Sequence, residues 1–150
     1  MSITANLTRE EILNAFSYSV EEMAFNVVDL CEENLDRTIF DHSAQIEFEI
    51  RQDPVVKGKI FLMCEEGFSE TLLENLTVPG LKFNSSSDLL CELLNIFAGV
   101  LLVQLNWKPY WLDFPRCESA KSLKWPESEA KISVSLKDVE NRKIKIGIFV

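Results

Sequence analysis

Apolar positions divide the chain into helical and extended stretches. After Thr8, residues Ile12, Phe16, Val20, Met23 and Val27 recur at spacings of three and four, the period of an amphipathic helix. Thr8 and Glu11 open it with a T-x-x-E pair, in which hydroxyl and carboxylate satisfy free backbone N–H groups. The spacing predicts a helix ending between Val28 and Glu33. Gln45–Ile50 alternates strictly, with Ile46, Phe48 and Ile50 on one side and Glu47 and Glu49 on the other, as in a half-buried strand. Asp53-Pro54 predicts a turn into a second, antiparallel strand over Val56–Cys64, where Gly58 marks a bulge or a close backbone approach. Gly67 breaks the chain, Ser69 is a candidate N-cap, and Leu72, Leu73 and Leu76 outline a short helix closed by Pro79-Gly80. Ser85, Ser86 and Ser87 offer the next cap, with Ser85 and Asp88 in S-x-x-D spacing. A long third helix is predicted from there to about Asn106, stopped by Lys108-Pro109. Strands follow over Tyr110–Phe114, interrupted by Pro115, and over Lys131–Leu136 and Lys143–Val150. A polar loop over Glu118–Glu129 contains Trp125-Pro126. Helices grouped around antiparallel hairpins predict an α+β fold, an antiparallel-rich sheet with helices packed on it, in one domain over residues 1–150.

Composition narrows the partners. The chain has 150 residues, 47% of them hydrophobic and 26% charged, enough to bury a core and too apolar for wholesale disorder. A net charge of -9 repels phosphate backbones, so no nucleic acid is expected. The apolar run Leu89–Leu105 contains Glu92, Asn95 and Gln104 and is read as a buried core helix, with no membrane partner. The N-terminal stretch MSITANLTREEILNAF lacks a signal-peptide pattern, so a cytoplasmic location is expected. Cys31, Cys64, Cys91 and Cys117 lie at least 26 residues apart and His42 is the sole histidine, which leaves no zinc-site spacing. The four cysteines are read as small buried hydrophobes. The strand KIKIGIFV offers an edge for pairing into a homodimer, although its lysines equally suit the guarding of a free edge.

The third helix carries the candidate chemistry. At about 100° per residue, with Asp88 at zero, Glu92 falls at about 40°, Asn95 at about -20°, Gly99 at about 20° and Asn106 at about 0°. Leu, Ile, Val, Phe, Cys and Ala fill nearly all the rest, and Gln104 sits on the opposite side. The helix is therefore expected to be buried over most of its girth and open along one line. Asp88 also suits the positive end of the helix dipole, so either a capping role alone or a place on the partner-facing line explains it. Gly99 costs about 1 kcal/mol relative to alanine in a helix interior. It leaves room either for a second helix of this chain or for a partner beside Asn95. There is no serine–histidine pair, phosphate loop or H-E-x-x-H. An amide that donates and accepts can hold a water in line for attack, and a glutamate can pair with a partner's cation. The set reads as half a site, completed by a bound protein.

The run D-x-x-x-E-x-x-N-x-x-x-G, Asp88 to Gly99, resembles the signature helix of the CheC/CheX chemotaxis phosphatases. AFSYSVEEMAF resembles the first helix of the CheX branch, and VKGKIFLMCEEGFSETLL is similar to that family's strand and following helix. The resemblance spans about Leu13 to Val150. Two-site members carry a second E-x-x-N on the first helix; here Glu21 is followed by Ala24 and Glu22 by Phe25, so the chain resembles the one-site CheX branch. Leu94 stands before the asparagine where the family usually has a small residue. The resemblance implies a phosphatase acting on a CheY-type response regulator that carries an aspartyl phosphate and its own Mg2+. Asn95 would orient the attacking water, Glu92 would pair with the regulator's lysine, and Asp88 and Gly99 would adjoin the partner. No cofactor of the chain's own is implied. The alternative is a CheX-like binding or scaffold module without turnover.

Overall fold

The computed structural model describes residues 7–24, 26–76, 85–119 and 132–150. Helix α1 (Arg9–Ala24) begins where the T-x-x-E pair places it, with the Glu11 N–H donating to Thr8 Oγ1 at 3.1 Å. It ends earlier than the periodicity predicts. Val28–Leu30 instead form a short strand, β1. Strands β2 (His42–Ile50) and β3 (Val56–Cys64) follow as an antiparallel pair in which Phe48 lies opposite Gly58. A Cβ on Gly58 would lie 2.3 Å from the Phe48 ring and 2.6 Å from the Phe149 carbonyl, so glycine is required by close approach.

Helix α2 (Glu66–Glu74) corrects the capping expectation. Ser69 is inside the helix and buried, its hydroxyl donating to the Glu66 carbonyl at 2.9 Å. Glu65 takes the cap position, and Asp41 Oδ2 accepts from the Glu66 N–H at 2.8 Å. Gly67 lies in the first turn because the Arg142 side chain occupies the space of its missing Cβ. Arg142 there donates to the Gly67 carbonyl and to Thr71 Oγ1, tying α2 to the turn before the last strand.

Helix α3 (Ser86–Gln104) starts on Ser85, whose Oγ accepts from the Asp88 N–H at 3.2 Å. Asn106 ends it by adopting φ 58°. Its N–H donates to the Val103 carbonyl and that of Trp107 to the Leu102 carbonyl, a left-handed cap that acts three residues before Pro109 could. After it come β4 (Tyr110–Leu112), β5 (Arg116–Ser119), β6 (Ile132–Asp138) and β7 (Lys143–Phe149). The expected turn at Pro79-Gly80 and the loop around Trp125-Pro126 lie outside the described residues.

Every strand pairing among the described residues is antiparallel, in the order β1-β6-β7-β3-β2-β4, with β5 also on β2. β7 is an interior strand between β6 and β3, so KIKIGIFV offers no free edge for a dimer, contrary to the expectation from its sequence. One sheet face, with Ala44, Ile46, Phe48, Ile60, Leu62, Ile146 and Ile148, joins the helices in a single core. Within it Phe16 of α1 meets Phe97 of α3 edge-on at 5.4 Å. By length and composition α3 is apolar enough to cross a bilayer, but here it is the core helix, packed against α1, α2 and β2.

Candidate functional site

The buried side of α3 holds Leu89, Leu90, Leu93, Leu94, Phe97, Ala98, Leu101 and Leu102. That arc turns the opposite line of the helix outward. Asp88 and Asn95 are exposed there, and Glu92 is half-buried between them. Leu94 is fully buried, so the bulkier residue before the asparagine packs inward and leaves the site face clear. Among the described residues, the side chains of Glu92 and Asn95 have no partner.

Asp88, Glu92 and Asn95 line one groove of about 360 Å³, together with Cys91. Its opposite wall is Leu112, Asp113, Phe114 and Pro115, which the sequence did not mark as functional. This wall is a β-bulge. Leu112 pairs with Phe48 and Arg116 with Gln45, so three residues of this segment face two of β2. Pro115 has no N–H to continue the ladder. The Asp113 N–H holds the bulge down on the Glu47 carbonyl at 3.0 Å.

Gly99 does not line the groove. Among the described residues a Cβ there would have only the Tyr110 hydroxyl near it, at 3.7 Å, so no second helix among them explains the glycine. Asn106 lies beyond the helix and leaves the stripe. Gln104, on the far side, donates to the Glu11 carbonyl at 3.0 Å and braces α1 against α3. On α1, Ala24 is buried where an asparagine would be needed for a second acid–amide pair.

Two cysteines are not simple hydrophobes. Cys91 of α3, itself a lining residue of the groove, and Cys117 of β5 form a disulfide with Cα atoms 5.8 Å apart. Cys31 and Cys64 are free and buried, as expected. Burial, with Asp41 and Glu65 nearby, pushes the Cys64 thiol far above its ordinary range, so it is a poor nucleophile. Among the described residues no cluster of three or more His, Cys, Asp or Glu could hold a metal. Among the described residues the groove thus offers an amide and carboxylates to an incoming group, but no free thiol, hydroxyl or imidazole.

No family profile and no curated protein matches the chain. Solved structures do match. The chain superposes on the chemotaxis protein CheX from Vibrio vulnificus with a TM-score of 0.70 at 15% identity, over 98% of this chain and 99% of that one. For a CheC-like superfamily protein from Shewanella sp. PV-4 the TM-score is 0.65 at 18% identity, over 94% and 96%. For the CheX–CheY–BeF3–Mg2+ complex from Borrelia burgdorferi it is 0.64 at 17% identity, over 93% of this chain and 95% of the matched one. The chain has the fold of the CheX and CheC-like chemotaxis proteins.

Proposed function

We propose that this chain is a phosphatase that removes the phosphoryl group from an aspartyl-phosphorylated CheY-type response regulator. The observation that carries the reading is the pairing of Glu92 and Asn95 on one open line of an otherwise buried helix, within a CheX-like fold. The partner class is further supported by the Borrelia structure, in which CheX is bound to CheY with BeF3 and Mg2+.

The groove supplies position rather than a covalent intermediate. Asn95, exposed and without a partner among the described residues, inserts its amide beside the acyl phosphate. Its carbonyl accepts from the attacking water while its NH2 donates toward phosphoryl oxygens, which holds the water in line. A positioned amide of this kind serves GTPases in the same way. Glu92, one turn away and half-buried, pairs with a lysine of the regulator and fixes the dock. The Mg2+ belongs to the regulator and supplies charge neutralisation there. Positioning can lower the barrier by about 2–4 kcal/mol, roughly 10²–10³-fold in rate.

The test is hydrolysis of phosphorylated CheY-type regulators from the same organism by the wild-type chain and by Asn95→Ala. The expected result is a wild-type acceleration that Asn95→Ala largely abolishes while binding to the beryllofluoride-loaded regulator persists. Binding without any wild-type acceleration would replace this reading with a scaffold module.

A further inference from the structure

We propose that the Leu112–Pro115 bulge, with Phe114 at its tip, is a second docking element for the same regulator, the apolar counterpart of Glu92. The proposal rests on the phosphatase reading and adds a specificity-determining residue to it. Phe114 is 88% exposed, more than any other large hydrophobic side chain among the described residues. It does not sit on a loose loop. The Asp113 N–H is anchored to β2, the Phe114 N–H donates to Asp113 Oδ1 at 2.8 Å, and Cys117 fastens the following strand to α3. A braced, solvated aromatic ring is the kind of residue that anchors a protein interface, because it loses little freedom on burial.

The position names the occupant. The bulge and the Asp88–Asn95 line are opposite walls of one groove. A partner that brings a phosphoryl group to Asn95 must therefore also lie against Phe114. The rim is acidic, with Asp88, Glu92 and Asp113 around the groove and a net charge of -9 on the chain. A second copy of this chain and an anionic membrane are both repelled by that rim. A regulator surface with a lysine beside its phosphorylated aspartate and an apolar patch next to it is complementary in both respects.

The experiment compares wild type, Phe114→Ala, Phe114→Leu and Asn95→Ala. It measures dissociation constants for the beryllofluoride- and Mg2+-loaded regulator and steady-state turnover over a range of phosphorylated regulator. For Phe114→Ala, Kd and KM should both rise at least roughly tenfold, with a much smaller change in kcat. Phe114→Leu should recover most of the loss, and Asn95→Ala should show the opposite split, with kcat lowered and Kd little changed. Thermal melts confirm that the Phe114 variants are folded. Wild-type activity together with a Phe114→Ala Kd and KM within twofold of wild type overturns the docking element alone. Absence of both binding and turnover in the wild-type chain overturns the phosphatase reading and this proposal with it.

Discussion

Asn95 and Glu92 share a groove, yet their substitution should read differently. Asn95 acts on a water whose alignment matters mainly in the transition state, so its loss falls on kcat. Glu92 makes its contact on docking. Glu92→Ala should therefore raise KM and Kd as well as lower turnover, and the deficit should shrink between about 0.05 M and about 0.5 M salt, because a half-exposed ion pair is screened. A salt-independent Glu92→Ala defect would remove the ion-pair role. Gly99 offers a sharper separation of stability from function. Nothing among the described residues requires a glycine here, since the nearest of their atoms to an added Cβ would be the Tyr110 hydroxyl at 3.7 Å. Gly99→Ala should then stabilise the fold by about 0.5–1 kcal/mol, read as a higher urea midpoint. If the partner approaches here, the same variant should bind regulator more weakly. A stabilised variant with wild-type binding would sink the proposed partner contact at Gly99.

At the scale of elements, α3 is held by two local devices of different legibility. Ser85 was readable as the cap, because the S-x-x-D spacing and the hydroxyl's acceptor chemistry are both local. The C-terminal stop was not. Proline at 109 looked sufficient, but Asn106 with φ 58° ends the helix first. Asn106→Ala should cost about 1 kcal/mol in equilibrium unfolding and Asn106→Gly little or nothing, since only the former forces a Cβ into the left-handed region without a compensating side chain. Equal effects of the two variants would contradict that account. The other misread elements share one cause. Val27 and Val28 continue the helical period of α1, and β1 is a strand only because β6, more than 100 residues later, pairs with it. Gly67 looked like a helix break because nothing local reveals that Arg142 fills its space. The site helix was legible because its signal, one polar line on an apolar cylinder, is contained in a single element. The facing wall was not, because the bulge exists only through its register on β2.

On the scale of the whole molecule, the Cys91–Cys117 bond ties α3, which forms one wall of the groove, to β5, the strand that follows the other wall. Spacing alone could not pair these cysteines, since a separation of 26 residues carries no motif. The bond closes a loop that contains the whole C-terminal half of α3, β4 and the bulge. Cross-linking a loop of that length should stabilise the fold by about 3–4 kcal/mol through the entropy of the unfolded chain. The reduced protein, and the Cys91→Ser/Cys117→Ser double variant, should therefore unfold at a lower urea concentration than the oxidised one. Alkylation of the reduced native chain should mark Cys91 and Cys117 first, because Cys31 and Cys64 are buried and the Cys64 thiol is held protonated. The consequence for function follows from what the bond holds. Asn95 sits on a helix packed into the core on its other side and keeps its place without the bond. The bulge is hydrogen-bonded to β2 at either end and rests on the core through Leu112, so its Asp113–Pro115 part gains freedom when β5 is released from α3. Reduction should accordingly raise KM for the phosphorylated regulator more than it lowers kcat, and should leave the Phe114→Ala variant less affected than wild type. Parallel KM measurements with and without dithiothreitol decide it: a reduction effect of the same size in wild type and Phe114→Ala would mean that the bond supports the fold without supporting the dock.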